Sequence, residues 1–406
     1  RSAQIILSNI ADKITARDTK VLRKLASTAI TGKVAENAKD ELAAIVVSAL
    51  RAVSEKDGAI DIDNIKVEAK VGMSVHETEL ISGIVLDKEK VHATMPPVVQ
   101  EARVALLDAP LETPSTETEA KISITDPAKL QEFLDMEEGM LKKLVSRVVD
   151  TGANVVFCQK GIDDIVQYLL AQEGVYACRR VKKSDLKALA RATGGSIITN
   201  VNDLSAKHLG KAGKVEEVKV GDDYMTFIRD CKNPKAVTIF VRATTEHLTQ
   251  EVRRALDDAL GNVASALRTH GIVGGAGAAE VELARNLYHY SQKLSGREQL
   301  AVAAFAKAME IVPKTLAENA GLDPIDVIAD LKAAHDKGEK WAGLDVTSGE
   351  VIDAVKEGIV EPLPIKTQAV ASASDVAMMI LRIDDVIVAG AVEGQKQDGN
   401  PGEGFE

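Results

Sequence analysis

Two adjacent carboxylates and a glycine-rich turn are the residues best suited to chemistry in this sequence. Asp257 and Asp258 lie in the segment from residue 254 to 284, RALDDALGNVASALRTHGIVGGAGAAEVELA. The segment begins with helical periodicity, and at about 100° per residue both aspartates fall off the apolar stripe. A carboxylate facing a cleft can polarise an attacking water, whereas a solvated surface acid is the ordinary alternative.

The glycine turn GIVGGAG, residues 271 to 277, is expected to end one helix and precede another. Glycines let a backbone approach a phosphate or a base closely, and a helix N-terminus offers free amides to an anion. The turn is neither a Walker phosphate loop nor a GxGxxG segment after a strand. A helix C-cap followed by a tight turn explains the same residues. The local pattern therefore leaves a nucleotide site and a structural corner both open.

The composition argues against several kinds of partner. The chain has 406 residues, a formal net charge of -11, and 45% hydrophobic but only 3% aromatic residues. It is long enough for two or three domains with cores of Ala, Val, Leu and Ile. It has no long block of Lys or Arg and no apolar run of membrane-spanning length. We therefore expect neither nucleic acid nor membrane as a partner.

The cysteine and histidine patterns give little support to a metal site. The three cysteines, Cys158, Cys178 and Cys231, are widely spaced, and the chain contains neither a CxxC nor an HExxH pattern. An odd number of scattered cysteines fits a reducing compartment better than a disulfide framework. The expectation is a cytoplasmic protein with no metal site in this chain.

Hydrophobic periodicity predicts a nested α/β organisation. Helical patterns occupy residues 18 to 54, and strand patterns follow from 58 to 86. A proline-rich stretch from 95 to 120 then leads to a helix that begins at Asp126-Pro127, to a βαβα alternation, and to a hairpin near 221 to 223. Long helices are predicted near the end, at 251–267, 278–293, 297–312 and 367–382. A sheet-rich module is thus inserted into a helical body, and a polar tail closes the chain.

Nine stretches in chain order resemble the group II chaperonins, which comprise archaeal thermosome subunits and their eukaryotic cytosolic relatives. They span nearly the whole chain: TAITGKVAENAK, ETELISGIVLDKEKVHATMP, GANVVFCQKGIDD, RRVKKSDLKALARATG, CKNPKAVTIFVR, RALDDAL, PKTLAENAGLDP, GIVEPLPIKTQA and LRIDDVI. The resemblance implies a multidomain α/β fold. In that fold a helical equatorial domain is split by a small α/β intermediate domain, which is split by an apical β-sheet domain flanked by helices and carrying a helical protrusion, the lid.

The same resemblance implies domain boundaries and a function. The expected divisions are 1–16 and 274–390 for the equatorial domain, 17–82 and 234–273 for the intermediate domain, 83–233 for the apical domain with its lid at about 113–147, and 391–406 for a disordered tail. The implied protein is a subunit of a double ring, homomeric or heteromeric, that encloses unfolded proteins. Hydrolysis of ATP, with Mg²⁺, closes its lid.

The aspartates acquire separate roles under this resemblance. Asp258 aligns with the family's hydrolytic aspartate, which orients and deprotonates the water that attacks the γ-phosphate, and Asp257 becomes its neighbour. Lys33, in ITGK, matches a lysine that senses the terminal phosphate. An ordinary surface lysine is the alternative for Lys33.

The glycine turn matches the family's glycine triplet beside the base and ribose. Here the triplet reads Gly275-Ala276-Gly277, so that its middle residue is alanine. At positive φ that alanine costs on the order of 1 kcal/mol. Glu361 matches a carboxylate near the ribose hydroxyls, and Asp345 lies where the family lines the adenine pocket. Either acid could instead be an ordinary loop residue.

The apical resemblance implies a surface for unfolded clients. The helix after Asp126 would be the lid protrusion, with Phe133, Leu134, Met136 and Met140 as candidates to touch clients or neighbouring lids. Flexible methionines suit a surface that adapts to many sequences. Core packing is the alternative, and it is stronger for Leu134 than for Met136. The helices in GIDDIVQYLLAQEG and KSDLKALARATG would face the cavity.

The main departure from the family is that these 406 residues contain no Gly-Asp-Gly-Thr-Thr phosphate loop. In the family that loop supplies phosphate contacts and the magnesium-binding aspartate, and it lies in the N-terminal equatorial half. We therefore expect this chain alone not to hydrolyse ATP, and apolar helix faces near 300–312 and 376–387 to be exposed.

Two other functions stay open from the residues alone. One is a passive client-binding protein, a holdase, without nucleotide chemistry. The other is a metabolic α/β enzyme that uses the glycine turn for a cofactor, and the expected lack of a strand before that turn argues against it.

Overall fold

The computed structural model describes residues 1–33, 36–54, 60–113 and 127–385. Its helices are α1 (Ser2–Ile10), α2 (Thr19–Ile30), α3 (Lys39–Val53), α4 (Pro127–Asp150), α5 (Asp164–Gln172), α6 (Lys183–Thr193), α7 (Glu246–Thr269), α8 (Ala278–Ser291), α9 (Gly296–Met309), α10 (Ile311–Asn319), α11 (Pro324–Asp336), α12 (Ala354–Glu357) and α13 (Leu363–Leu381).

The strands alternate with these helices along the chain. They are β1 (Asp12–Lys13), β2 (Ile65–Val71), β3 (Glu79–Ile81), β4 (Ile84–Leu86), β5 (Val98–Leu107), β6 (Val155–Cys158), β7 (Tyr176–Cys178), β8 (Ile197–Ile198), β9 (Gly210–Val220), β10 (Asp223–Arg229), β11 (Val237–Ala243), β12 (Gly271–Gly274), β13 (Ala342–Leu344), β14 (Val351–Asp353) and β15 (Val360–Pro362).

The largest sheet lies in the middle of the sequence. Its strand order is β4-β10-β9-β5-β6-β7, with β8 beside β5. The strands β5, β6 and β7 run parallel, and α4 and α5 connect them. Separate hydrophobic cores lie beneath α4 with α5 and beneath α6. The predicted βαβα alternation and the hairpin that turns at Gly221 and Asp222 are confirmed.

A second, three-stranded sheet has the order β2-β11-β3 and packs against α3 and α7, and α2 packs in turn against these two helices. Every residue of β11, VTIFVRA, is buried, which is typical of a central strand covered on both faces. Its parallel pairing with β2 runs from Val237 opposite Ile65 to Ala243 opposite Val71. This sheet joins two segments that the large sheet separates in sequence.

The C-terminal part is helical, as predicted, with two differences. Residues 297–312 were expected to form one helix, but α9 ends at Met309 and α10 begins at Ile311. Pro313 has no N–H to donate to the carbonyl of Met309, so the first helix cannot continue. The expected lack of a strand before the glycine turn is wrong, because Gly271–Gly274 form β12 between β1 and β15.

The expected exposure of apolar helix faces is found on α13 but only in part at 300–312, where Ala306 is buried and Phe305 and Met309 pack against a core. Along α13 no residue is buried. Leu300 and Ile311 are also largely exposed, at 72% and 60%. No helix in the described part of the chain is long and apolar enough to cross a membrane. The predicted tail at 391–406, and residues 114–126 of the predicted lid, lie outside the described residues.

Candidate functional site

Lys33 and Asp258 form an ion pair between the end of α2 and the middle of α7. Lys33 Nζ donates a hydrogen bond to Asp258 Oδ2. Lys33 follows α2 after a turn in which Gly32 has a φ of 75°, and Asp258 lies on α7. Both side chains stay accessible, at 31% and 62% exposure. The structure thus joins the two residues that were assigned to the terminal phosphate.

The neighbouring Asp257 has a different environment. Its Oδ2 lies 4.0 Å from Arg253 Nε, one turn earlier on α7. Partial burial raises the pKa of Asp257, the charge of Asp258 raises it further, and Arg253 opposes both effects. The buried stripe of α7 includes Val252, Leu256, Ala259 and Val263. Both aspartates are exposed and lie off this stripe, as the periodicity predicted.

Helix α7 leads directly to the glycine turn. It ends at His270, whose φ of 53° is left-handed, and the chain then enters β12. From Asp258 to the end of α7 is about three turns, roughly 17 Å. Among the described residues no hydrogen bond or ion pair joins the Lys33–Asp258 pair to the turn. The candidate site therefore has two parts at different points along one helix.

The first four residues of the glycine turn form β12, and its last three, Gly275-Ala276-Gly277, connect β12 to α8. Gly277 has a φ of 79° and is the N-cap of α8, and a Cβ there would lie 2.9 Å from the Cβ of Pro313. A Cβ at Gly275 would lie 2.9 Å from Cγ2 of Ile359. Ala276, in the middle of the triplet, has a φ of 54°. Alanine therefore occupies a left-handed conformation that glycine adopts without strain, at a cost of about 1 kcal/mol.

Glu361 lies next to this turn on β15. It is opposite Val273 in the β12–β15 register, and a Cβ at Gly275 would come within 3.1 Å of its Oε1. The Glu361 side chain is 28% exposed, and its Oε1 lies 3.0 Å from Lys366 Nζ. The structure thus brings Glu361 together with the glycine turn, as the resemblance implied.

Asp345 lies in the turn between β13 and β14. The preceding residue, Leu344, donates its amide to the carbonyl of Ala276 at 3.0 Å, so that this turn adjoins the glycine turn. The carboxylate of Asp345 accepts hydrogen bonds from the Thr347 amide, at 2.9 Å, and from the Ser348 hydroxyl, at 2.7 Å. These bonds, led by the one from Thr347, lower the pKa of Asp345. Its carboxylate already stabilises its own turn, which supports the alternative of an ordinary loop acid.

The candidate client-binding residues divide by exposure. Met136 and Met140 on α4 are 59% and 47% exposed, while Leu141 is buried. The side chains of Phe133 and Leu134 lie outside the described residues. On α5, Ile165 and Tyr168 are also exposed, at 44% and 51%. Sequence reasoning did not single these two out, although both lie off the buried stripe of that helix.

The described residues contain no group of three or more His, Cys, Asp or Glu side chains that could hold a metal ion. The three cysteines are free and buried, so no disulfide links them. Burial raises the pKa of each thiol, which leaves them weakly nucleophilic.

Comparison with known proteins identifies the class of this fold. Residues 2–391 match the model of the TCP-1/cpn60 chaperonin family. An open-state monomer of a group II chaperonin from Methanococcoides burtonii superposes with a TM-score of 0.69 and 43% sequence identity, covering 94% of this chain and 90% of that one. The chain belongs to the TCP-1/cpn60 chaperonin family.

Archaeal relatives narrow the class further. A thermosome subunit of Methanocaldococcus jannaschii is 54% identical over 98% of this chain and 74% of its own length. The thermosome subunit beta of Archaeoglobus fulgidus is 54% identical over 98% of this chain and 73% of its own length. The predicted resemblance to archaeal group II chaperonin subunits is thereby confirmed, and so is a mixed α/β multidomain fold. The chain spans about three quarters of the length of these relatives.

Proposed function

We propose that Asp258 is the general base for ATP hydrolysis in this ATP-dependent protein-folding chaperonin, and that Lys33 contacts the terminal phosphate. The observation that carries the proposal is their ion pair, which joins distant segments on an accessible surface. A carboxylate can accept a proton from the attacking water, and a lysine can neutralise charge on the phosphate.

The ion pair suggests how the two side chains divide their work. Without phosphate, Lys33 is held by Asp258. A terminal phosphate competes for the ammonium group, because it carries more charge than one carboxylate. When Lys33 turns to the phosphate, the Asp258 oxygen becomes free to orient water. The ion pair would therefore open only when a triphosphate is bound, which frees Asp258 to act on water at the same moment as Lys33 contacts the phosphate.

The nucleoside is proposed to bind at the glycine turn. Close backbone approach at Gly275 and Gly277, the adjoining Glu361 carboxylate and the nearby Asp345 turn support this assignment. Glu361 would accept hydrogen bonds from ribose hydroxyls. Asp345 is the weaker assignment, since its oxygens are engaged within their own turn.

The resemblance to group II chaperonins supports further proposals about Mg²⁺, the activity of these 406 residues alone, and assembly. Mg²⁺ would neutralise phosphate charge, with ligands beyond the described residues. The 406 residues alone are predicted not to hydrolyse ATP, because they contain no Gly-Asp-Gly-Thr-Thr loop. Four further expectations also stay predictions. They are the boundaries of the equatorial, intermediate and apical domains, the lid, the cytoplasmic location, and assembly with other subunits into a double ring.

The experiment that separates folding from passive holding uses the assembled chaperonin and a denatured client. We expect recovery of client activity with ATP, none with ADP, and loss of recovery in Asp258→Asn. Asp257→Asn is the matched control. If aggregation is suppressed equally with and without nucleotide, and recovery never depends on ATP, the holdase alternative is correct.

A further inference from the structure

A largely enclosed cluster of three charged side chains includes Glu361. Lys366 Nζ lies 2.6 Å from Glu280 Oε1 and 3.0 Å from Glu361 Oε1. Its side chain is only 16% exposed. The three residues come from the first turns of α13 and α8 and from β15, all of which begin or end beside the glycine turn.

The position of Lys366 is unfavourable without its two partners. A cation near a helix N-terminus faces the positive end of the helix dipole, and a buried ammonium group loses its hydration. Burial lowers the pKa of Lys366, but the charges of Glu280 and Glu361 outweigh it and leave the pKa raised. The lysine is therefore charged, and both carboxylates hold it.

Glu280 is stabilised in its buried position mainly by its ion pair with Lys366. The residue is 9% exposed, and its second oxygen, Oε2, is buried with no hydrogen-bond partner among the described residues. A buried acceptor without a partner costs free energy. The carboxylate thus serves as an anchor for Lys366 rather than as a well-satisfied part of the core.

Glu361 differs from Glu280 in being partly accessible. Its Oε1 is engaged by Lys366, and within the described part of the chain its Oε2 has no ion-pair or hydrogen-bond partner. Lys366 holds Oε1, the oxygen that lies against Gly275, and Oε2 is left to accept a hydrogen bond from a ligand. Fixing one oxygen reduces the rotamer freedom that binding would otherwise have to remove.

We propose that Lys366, anchored on Glu280, is a positioning residue that holds the Glu361 carboxylate in place for the sugar hydroxyls of the nucleotide. The inference rests on the proposed function, which assigns Glu361 to the ribose. Lys366 acts through Glu361 and touches neither the phosphate nor the attacking water. It therefore sets the preference for ribose over deoxyribose and leaves the maximal rate nearly unchanged.

The test compares KM for ATP with KM for 2′-deoxy-ATP and 3′-deoxy-ATP in the assembled chaperonin. Glu361→Gln should reduce the preference for ATP by about tenfold, since the neutral amide oxygen accepts a weaker hydrogen bond than the carboxylate. Lys366→Gln should reduce the same preference, with kcat at saturating ATP close to wild type. Lys366→Arg keeps the positive charge and should retain most of the wild-type preference for ATP. Lys356→Gln is the matched control, because Lys356 is exposed and its ammonium group pairs with Asp353, away from the glycine turn.

The outcomes separate the two proposals. An unchanged preference in Glu361→Gln overturns the ribose assignment itself. A reduced preference in Glu361→Gln with an unchanged one in Lys366→Gln overturns the positioning role alone. If Lys366→Gln does not assemble, Glu280→Gln takes its place: it removes the anchor's charge, and an unchanged preference in that variant also overturns the positioning role.

Discussion

Lys33 and Asp258 are 225 positions apart in the sequence and form one ion pair. Asp258 lies on α7 and Lys33 follows α2, and these two helices pack side by side in one hydrophobic core. The large sheet separates α2 from α7 in the sequence, so the ion pair forms only when the chain after that sheet folds back onto the chain before it. The pair's two charges provide the first two predictions.

Asp258→Asn should lower ATP turnover by about 10²- to 10⁴-fold, because the amide cannot accept a proton from water. Binding of ATP should change little, since Asp258 acts on the water and not on the nucleotide. Steady-state hydrolysis and equilibrium binding by the assembled chaperonin measure the two effects. Asp257→Asn, one residue away and paired with Arg253, should keep near-normal turnover. Normal turnover in Asp258→Asn would show that the base lies elsewhere.

Lys33→Met should lower kcat/KM by about 10- to 100-fold, the range expected for loss of a charged hydrogen bond to phosphate. The free energy of unfolding without nucleotide should change by less than about 1 kcal/mol, because the ion pair is exposed. Hydrolysis kinetics and urea denaturation give the two values. Lys39→Met, which removes an exposed pair with Glu36, is the control. Equal kinetics in both variants would indicate that Lys33 is an ordinary surface lysine.

Ala276→Gly should stabilise the folded chain by about 0.5–1 kcal/mol, because glycine adopts the φ of 54° without strain. The gain is reduced by the extra entropy of glycine in the unfolded chain. Denaturation midpoints measure the change, and an ATP titration shows whether the turn also binds more tightly. Ala278→Gly, inside the first turn of α8, should destabilise instead. A loss of stability in Ala276→Gly would mean that alanine is not strained there.

Acid stability should depend on Glu282. Burial raises the pKa of this carboxyl, but hydrogen bonds from His335 and Asn286 outweigh burial and leave the pKa below its ordinary 4.5. Its Oε2 lies 2.8 Å from Nδ1 of the fully buried His335.

The folded state therefore binds the proton less tightly than the unfolded state. The stabilisation is complete above about pH 4.5 and is lost as the pH falls through the lower folded value. Glu282→Gln should be less stable than wild type at pH 7, and the difference should shrink toward pH 3. Urea denaturation across this range tests it, with the exposed Glu298→Gln as control. A difference that does not vary with pH would contradict the prediction.

Client capture should depend on the exposed methionines of α4. Met136→Gln with Met140→Gln removes apolar contact area and should weaken binding of a denatured client several-fold, with little change in stability. Binding of a fluorescent unfolded protein and thermal unfolding measure the two effects. Leu141→Gln, on the same helix but buried, should instead destabilise the fold. Unchanged capture by the double variant would remove these residues from the client surface.

Much of the fold could be predicted from periodicity. The βαβα alternation, the hairpin at 221–222 and most helices follow from regular apolar spacing. The strand β12 could not be recognised, because its residues GIVG read as part of a glycine turn. Ile272 and Val273 adopt a strand since β1 and β15 pair on either side, and those partners are distant in sequence.

The candidate site was predictable only where a motif marks it. Asp258 and Lys33 were identified by resemblance, whereas their contact required the folded chain. Lys366 and Glu280 carry no local signal, because a lysine or a glutamate near a helix start is usually solvated. The φ of Ala276 was likewise inaccessible from sequence, since it depends on how the turn joins β12 to α8.

Helix α7 runs without a break from Glu246 to Thr269 and continues through His270 into β12. Because the helix is unbroken, a change in its tilt would move Asp258 and the glycine turn together. A nucleotide that touches both would therefore be sensitive to the orientation of this one helix.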